Sequence, residues 1–157
     1  MKKLILSVLL IPAVFSAQQT VSRDPEIANY VSQVSADSLK SHINKLVSFG
    51  TRHTMSSTTD AKKGIGAARN WVLSKFKNYA KNSDGRMEVF LQSQTIQPDG
   101  KRINQPTDLG NAIAILRGTD PNDKRIFMIG GHLDSRVSDV MNAKDFAPGA
   151  NDDGSGV

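Results

Sequence analysis

Cysteine is absent from the 157 residues, which removes disulfides, thiol catalysis, thiolate metal sites and an N-terminal lipid-modified cysteine together. Any metal held here must use His, Asp or Glu. Glutamate is scarce as well: of the fifteen acids thirteen are Asp, and the two Glu are Glu26 and Glu88, so candidates for a glutamate general base are few. No apolar run reaches membrane length. The longest, Leu4 to Phe15, is about twelve residues interrupted by Ser7 and Pro12, short of the roughly twenty that span a bilayer. Nor is there a large excess of one charge. Twenty Lys and Arg against fifteen acids give +5, and setting aside Lys2 and Lys3 leaves eighteen against fifteen, +3. That surplus is too small to imply nucleic acid. With 38% hydrophobic and 22% charged residues, the chain has the composition of one soluble globular domain, which argues against disorder and against an array of domains.

What is present begins with a leader. Residues 1–17 read MKKLILSVLLIPAVFSA, with two lysines, an apolar run and then small residues, the pattern of a secretory signal peptide. Cleavage is expected after Ser16, with Val14 two residues before it. Cleavage after Ala17 would put Phe15 where a small residue is preferred. The expected organisation is therefore a signal peptide at 1–16, a leader or propeptide-like segment at 17–34, and a domain from 35 to 157. The mature chain is expected in the periplasm or outside the cell, without a stable membrane anchor.

Asp24-Pro25-Glu26 supplies a cap, a first-turn proline and an early acid, so a short helix is expected at about 25–33. Ser35 can cap a second, in which Leu39, Ile43, Leu46 and Val47 recur at helical spacing until Gly50, with His42 half-buried at the edge of that stripe. A third, expected at about 59–81, carries Ile65, Ala68, Val72, Phe76 and Tyr79 on one face. Between Asp60 and Asp84 it holds six cations and no acid, which reads as a solvated basic face. From Arg86 the period changes to two, with Met87, Val89 and Leu91 alternating against Glu88, Phe90 and Gln92, the mark of a strand. Two continuous apolar runs, Ala112 to Leu116 and Ile126 to Ile129, flank a turn-rich segment as buried neighbouring strands would. Helices followed by a mainly buried sheet give an α/β expectation.

The second apolar run leads into Gly130-Gly131-His132-Leu133-Asp134-Ser135. A histidine at the carboxyl end of a strand stands where open α/β sheets present ligand groups. In extended backbone, residues two apart face the same way, so Asp134 can hold the His132 imidazole in the tautomer that leaves its other nitrogen free for a metal. A proline- and glycine-rich stretch at 147–156, Ala-Pro-Gly-Ala-Asn-Asp-Asp-Gly-Ser-Gly, then delivers two adjacent carboxylates to a turn. Neighbouring acids repel unless a cation or a positive helix end compensates, and Asp152 lies just before residues expected to start a helix.

Gly-Gly-His-Leu-Asp-Ser followed by Ala-Pro-Gly-Ala-Asn-Asp-Asp-Gly-Ser-Gly-Val resembles the secreted di-zinc exopeptidases of metallopeptidase family twenty-eight. That family includes bacterial leucine aminopeptidases, plasma carboxypeptidase-like enzymes and, more distantly, glutaminyl cyclases. The stretch Leu46 to Thr54 and the helix around Gly64-Ile65-Gly66-Ala67-Ala68-Arg69 are similar to its N-terminal region, so the resemblance covers about residues 39 to 157. It implies a three-layer α/β/α sandwich around a mixed, mainly parallel sheet, of which only the N-terminal half is present. It also implies two Zn2+ per full site, peptide or protein substrates, and an aminopeptidase reaction through a metal-bridging water. His132 would be a terminal ligand of one zinc, Asp134 the partner that orients it, and Asp152 the carboxylate bridging both. Asp153 would be a structural neighbour, joined to Asp152 by a cis peptide bond. His53 is expected to be structural or solvated.

In the family a glutamate pair follows the bridging aspartate by a few tens of residues, and a further acid and histidine come later. Neither Glu26 nor Glu88 has a neighbouring glutamate, so no base role passes to either, and the chain is expected to be an N-terminal fragment. A glutaminyl cyclase-like acyltransferase and a non-catalytic binding scaffold of the same fold are the alternatives. The intact Asp152-Asp153 pair favours the peptidase. A serine hydrolase is set aside, because Gly154-Ser155-Gly156 lacks the elbow spacing and no histidine follows. The 157-residue chain alone is expected to bind zinc weakly and to show no peptidase activity, and measurable turnover by the purified chain would contradict this.

Overall fold

The computed structural model describes residues 22–157, so the leader expected at 1–16 and the first residues of the 17–34 segment lie outside the described residues. Two compact units divide the chain at Val34 and Ser35. The first contains helix α1, Pro25–Ser32. The Asp24 carboxylate accepts from the Glu26 and Ile27 amides at 2.8 and 3.4 Å, satisfying donors that a helix start leaves unpaired. Pro25, which has no amide hydrogen to lose, occupies the first turn. One turn on, the Tyr30 hydroxyl donates to Glu26 at 2.8 Å. No residue of α1 is buried.

The second unit opens with α2, Ala36–Val47, capped by Ser35 Oγ accepting from the Ser38 amide at 3.2 Å. Gly50, at φ +78°, turns the chain out of it in a conformation that favours glycine. Helix α3, Gly64–Ala80, starts five residues later than the expected 59. The intervening residues prefer side-chain turns. Ser57 Oγ accepts from the Asp60 amide at 2.9 Å, and the Asp60 carboxylate from Lys62 and Lys63 at 2.7 and 3.1 Å. The first turn of α3 lies against this loop so closely that a side chain at Gly66 would collide with the Thr58 backbone.

Strands β1, Met87–Ile96, and β2, Thr107–Leu116, pair antiparallel in a register from Met87 opposite Leu116 to Ile96 opposite Thr107. Helix α3 packs against both. Its buried Arg69 reaches over β2 to the Asp108 carbonyl at 3.2 Å and carboxylate at 3.5 Å. The core cluster is Leu46, Phe49, Ala67 and Ala68, with Trp71 and Leu133 packed on it. His42 is half-buried, as expected, edge-on to Trp71 at 5.5 Å between ring centroids.

The α/β class holds: three helices and a two-stranded antiparallel sheet form among the described residues. Two local expectations change. Ala112 to Leu116 does not neighbour Ile126 to Ile129. It is the end of a longer strand paired with β1, and its residues are half-buried or exposed rather than fully buried. Residues 126–129 form no strand, and their side chains are 85–99% exposed, because an apolar run becomes a buried strand only beside a hydrogen-bonding neighbour and under a covering layer. The helix expected at Gly154 is likewise a set of turns. The Gly154 amide reaches Gly149 O and the Gly156 amide reaches Asp153 O, both at 2.9 Å, in place of a repeating helical ladder. No helix among the described residues is long and apolar enough to cross a membrane.

Leu46 is fully buried at the meeting of α2 and α3. Leu46→Ala is expected to destabilise the second unit by about 2–5 kcal/mol. Chemical denaturation checks this, and a change below about 0.5 kcal/mol would contradict Leu46 as the centre of the core.

Candidate metal centre

Two backbone segments carry the candidate ligands, and both lie in the second unit. Residues 130–135 present His132 and Asp134, and residues 147–156 present Asp152 and Asp153. The segments approach closely enough that a side chain at Gly131 would collide with the Gly156 backbone. The peptide bond between Asp152 and Asp153 is cis.

The His132 ring lies between carboxylates. Nδ1 is 3.1 Å from Asp134 Oδ1 and 3.3 Å from the Asp134 carbonyl. With a proton on Nδ1 donated to Asp134, Nε2 is left to face Asp152 Oδ1 at 3.0 Å. Asp153 Oδ2 stands farther from Nε2, at 3.9 Å. Asp134 is steadied in turn by the Thr54 hydroxyl, which donates to its Oδ2 at 3.4 Å. Partial desolvation lowers the His132 pKa. The hydrogen bond and charge of Asp134, together with the charge of Asp153, outweigh it, and the net shift is upward from the ordinary histidine value.

The sequence reading does not single out the machinery behind these side chains. Arg52 is completely buried, and its guanidinium donates only to backbone carbonyls. Nε reaches Leu133 O at 2.8 Å, Nη1 reaches Leu46 O at 3.0 Å and Pro148 O at 2.7 Å, and Nη2 reaches Gly149 O at 2.9 Å. Burial lowers the Arg52 pKa and the charge of Asp134 opposes that. Its backbone adds a second tie, since the Arg52 amide donates to Ser135 Oγ at 3.1 Å and the Ser135 amide to Arg52 O at 3.3 Å. Ser135 Oγ then donates to Ala147 O at 2.6 Å. Nothing in composition or periodicity marks these residues, because most of their partners are main-chain atoms and most lie far away in sequence.

His53 is buried, with both nitrogens engaged. Nδ1 accepts from the Met55 amide at 3.0 Å and Nε2 donates to Val140 O at 3.1 Å. Neither is free for a metal, in keeping with the structural role expected of it.

An imidazole nitrogen 3.0 Å from a carboxylate oxygen, with the other ring nitrogen tied to a second carboxylate, suits zinc in donor type. The donor number falls short: among the described residues no group of three or more His, Asp or Glu side chains converges as a metal site. The residues fit zinc as part of a coordination sphere.

Residues 111–157 match the family model Peptidase family M28. The chain is 46% identical over 134 residues to a "Probable zinc metalloprotease" of Leptosphaeria maculans, covering 85% of this chain and 31% of that protein. It is 43% identical over 134 residues to a "Probable zinc metalloprotease" of Pyricularia oryzae, covering 85% and 26%. To "Leucine aminopeptidase 1" of Grosmannia clavigera it is 29% identical over 137 residues, covering 87% and 29%. The chain thus spans less than a third of the length of each of these relatives. No solved structure matches at a significant level. The family model and the relatives together support peptidase family M28.

The Asp134 contact makes a sign prediction. In the metal-free protein His132 should titrate above an ordinary histidine, and Asp134→Asn should bring it down, as read from its imidazole resonances. Because the folded pKa is raised, the pair's contribution to stability is present below the unfolded pKa and is lost as pH rises through the folded one. A His132 pKa unchanged by Asp134→Asn would contradict the contact.

Proposed function

We propose that this chain supplies His132 and Asp152 to the zinc centre of a secreted exopeptidase, an aminopeptidase that removes N-terminal residues from peptides, within a three-layer α/β/α domain. The observation that carries the reading is the approach of His132 Nε2 to Asp152 Oδ1 at 3.0 Å while Nδ1 is held by Asp134. The support in kind comes from the M28 match and from relatives named as zinc metalloproteases and a leucine aminopeptidase.

In this reading Asp134 fixes the tautomer of His132, and His132 and Asp152 would hold zinc. Zinc held there would supply Lewis acidity toward the scissile carbonyl. Asp134 holds the proton on Nδ1, so that in the neutral ring the unprotonated nitrogen is the one facing Asp152. Among the described residues no third His, Asp or Glu side chain converges with this pair. The leader at residues 1–16 directs export.

The test is hydrolysis of aminoacyl chromogenic substrates by the whole protein, before and after metal removal. Chelation is expected to abolish release of the N-terminal residue and added zinc to restore it, while Asp152→Asn stays at the chelated background with zinc present. Activity that survives both chelation and Asp152→Asn would contradict the proposal. Glutamine-leading peptides that yield a cyclised pyroglutamyl end in place of a free amino acid would replace hydrolysis by acyl transfer.

A further inference from the structure

We infer that Arg52 is the positioning residue of this centre: through carbonyl hydrogen bonds to both ligand-bearing segments, its buried guanidinium sets the spacing between His132 and Asp152. The inference rests on the metal reading proposed above and adds a residue that touches neither zinc nor substrate.

The guanidinium has five N–H donors in a rigid planar fork. Four are spent on carbonyls, and the acceptors come from three separate places in the chain. Leu46 O belongs to the last turn of α2, where it also accepts from the Phe49 amide at 3.2 Å and carries the partial negative charge of a helix end. Leu133 O lies between His132 and Asp134. Pro148 O and Gly149 O belong to the segment that leads to Asp152. One planar group therefore ties both ligand segments to the end of a core-packed helix.

Gly149 shows how the tie reaches the ligand. Its carbonyl accepts from Arg52 Nη2 and also from the Gly154 amide, each at 2.9 Å, so it closes the turn that contains Asp152 and Asp153. The residue sits at φ +48°, and a Cβ there would lie 2.5 Å from Ser135 Cβ, 2.7 Å from Asp152 O and 2.9 Å from Arg52 Nη2. Only glycine lets the three meet without displacement. On the other side, the bond to Leu133 O fixes the peptide that joins Leu133 to Asp134, one residue beyond His132.

Charge alone would not require arginine here. Lysine keeps a positive charge near Asp134, yet its single ammonium has three donors radiating from one atom and cannot bridge carbonyls arranged around a plane. Arg52→Lys therefore separates fork geometry from charge.

The experiment is zinc affinity of the whole protein, measured by chelator competition, alongside thermal melting of its metal-free form. Arg52→Lys is expected to melt cooperatively and to bind zinc about 10- to 100-fold more weakly, the range found when groups that orient metal ligands are removed. Gly149→Ala approaches the same contact from the acceptor side and is expected to weaken zinc in the same direction. General destabilisation would lower the melting temperature and leave affinity unchanged in molecules that remain folded, so affinity is the deciding readout. If Arg52→Lys does not fold, weakened zinc in a folded Gly149→Ala supports the inference. Wild-type affinity in folded Arg52→Lys overturns it, as does wild-type affinity in Gly149→Ala when Arg52→Lys is unfolded, or loss of fold in both. Asp152→Asn tells the two levels apart: if it binds zinc as tightly as wild type, the metal reading itself fails and the Arg52 inference falls with it.

Discussion

A fully buried guanidinium is the constraint on which the candidate site depends. Removing a cation from water costs several kcal/mol unless its donors find acceptors, and in this unit the acceptors of Arg52 are main-chain carbonyls of Leu46, Leu133, Pro148 and Gly149. Each of those carbonyls would itself be costly to bury unpaired. The arrangement is therefore mutual: the segments cannot separate without orphaning Arg52, and Arg52 cannot leave without orphaning the Leu133 and Pro148 carbonyls, although Leu46 O keeps the Phe49 amide and Gly149 O the Gly154 amide. No buried side-chain polar atom among the described residues is left without a hydrogen-bond partner, as this kind of mutual satisfaction requires.

The division between scaffold and chemistry follows. Below, Leu46, Phe49, Ala67 and Ala68 form the packed base, and Leu133 lies on it, placing the backbone next to His132 directly over the core. Above, the side chains that would meet a metal stand open to solvent, with His132 56% and Asp152 88% exposed. Exposed ligands held this well need a rigid main chain beneath them. Ser135 reinforces it by bonding at once to the Arg52 amide and to Ala147 O. The close approach of Gly131 to Gly156 brings the two ligand segments edge to edge.

Local structure was legible where local physics decides it. Asp24, Pro25 and Ser35 marked two helix starts correctly, and the change to period two at Arg86 marked β1. The start of α3 was misjudged because Ser57 and Asp60 offer the backbone turn bonds that compete with a helix. Ile126 to Ile129 misled for a different reason: hydrophobicity reports a wish for burial, and pairing depends on neighbours that the run does not find among the described residues. The approach of His132 to Asp134 and Asp152 was readable since the three fall in two short motifs. Arg52 was not, since its bonds to Leu133, Pro148 and Gly149 cross 81, 96 and 97 residues and end on carbonyls that any side chain could flank.

The M28 match covers residues 111–157 and so includes both ligand motifs, whereas Arg52 and the helices that seat it precede it. The named relatives align over 85% or more of the chain, which extends the likeness to that supporting region. The central claim, that His132 and Asp152 share a metal, is tested most directly by anomalous diffraction at the zinc edge from crystals of the whole protein. The account predicts a zinc ion about 2.0–2.2 Å from both His132 Nε2 and an Asp152 carboxylate oxygen. Zinc bound elsewhere, with these two groups paired only to each other, would contradict it.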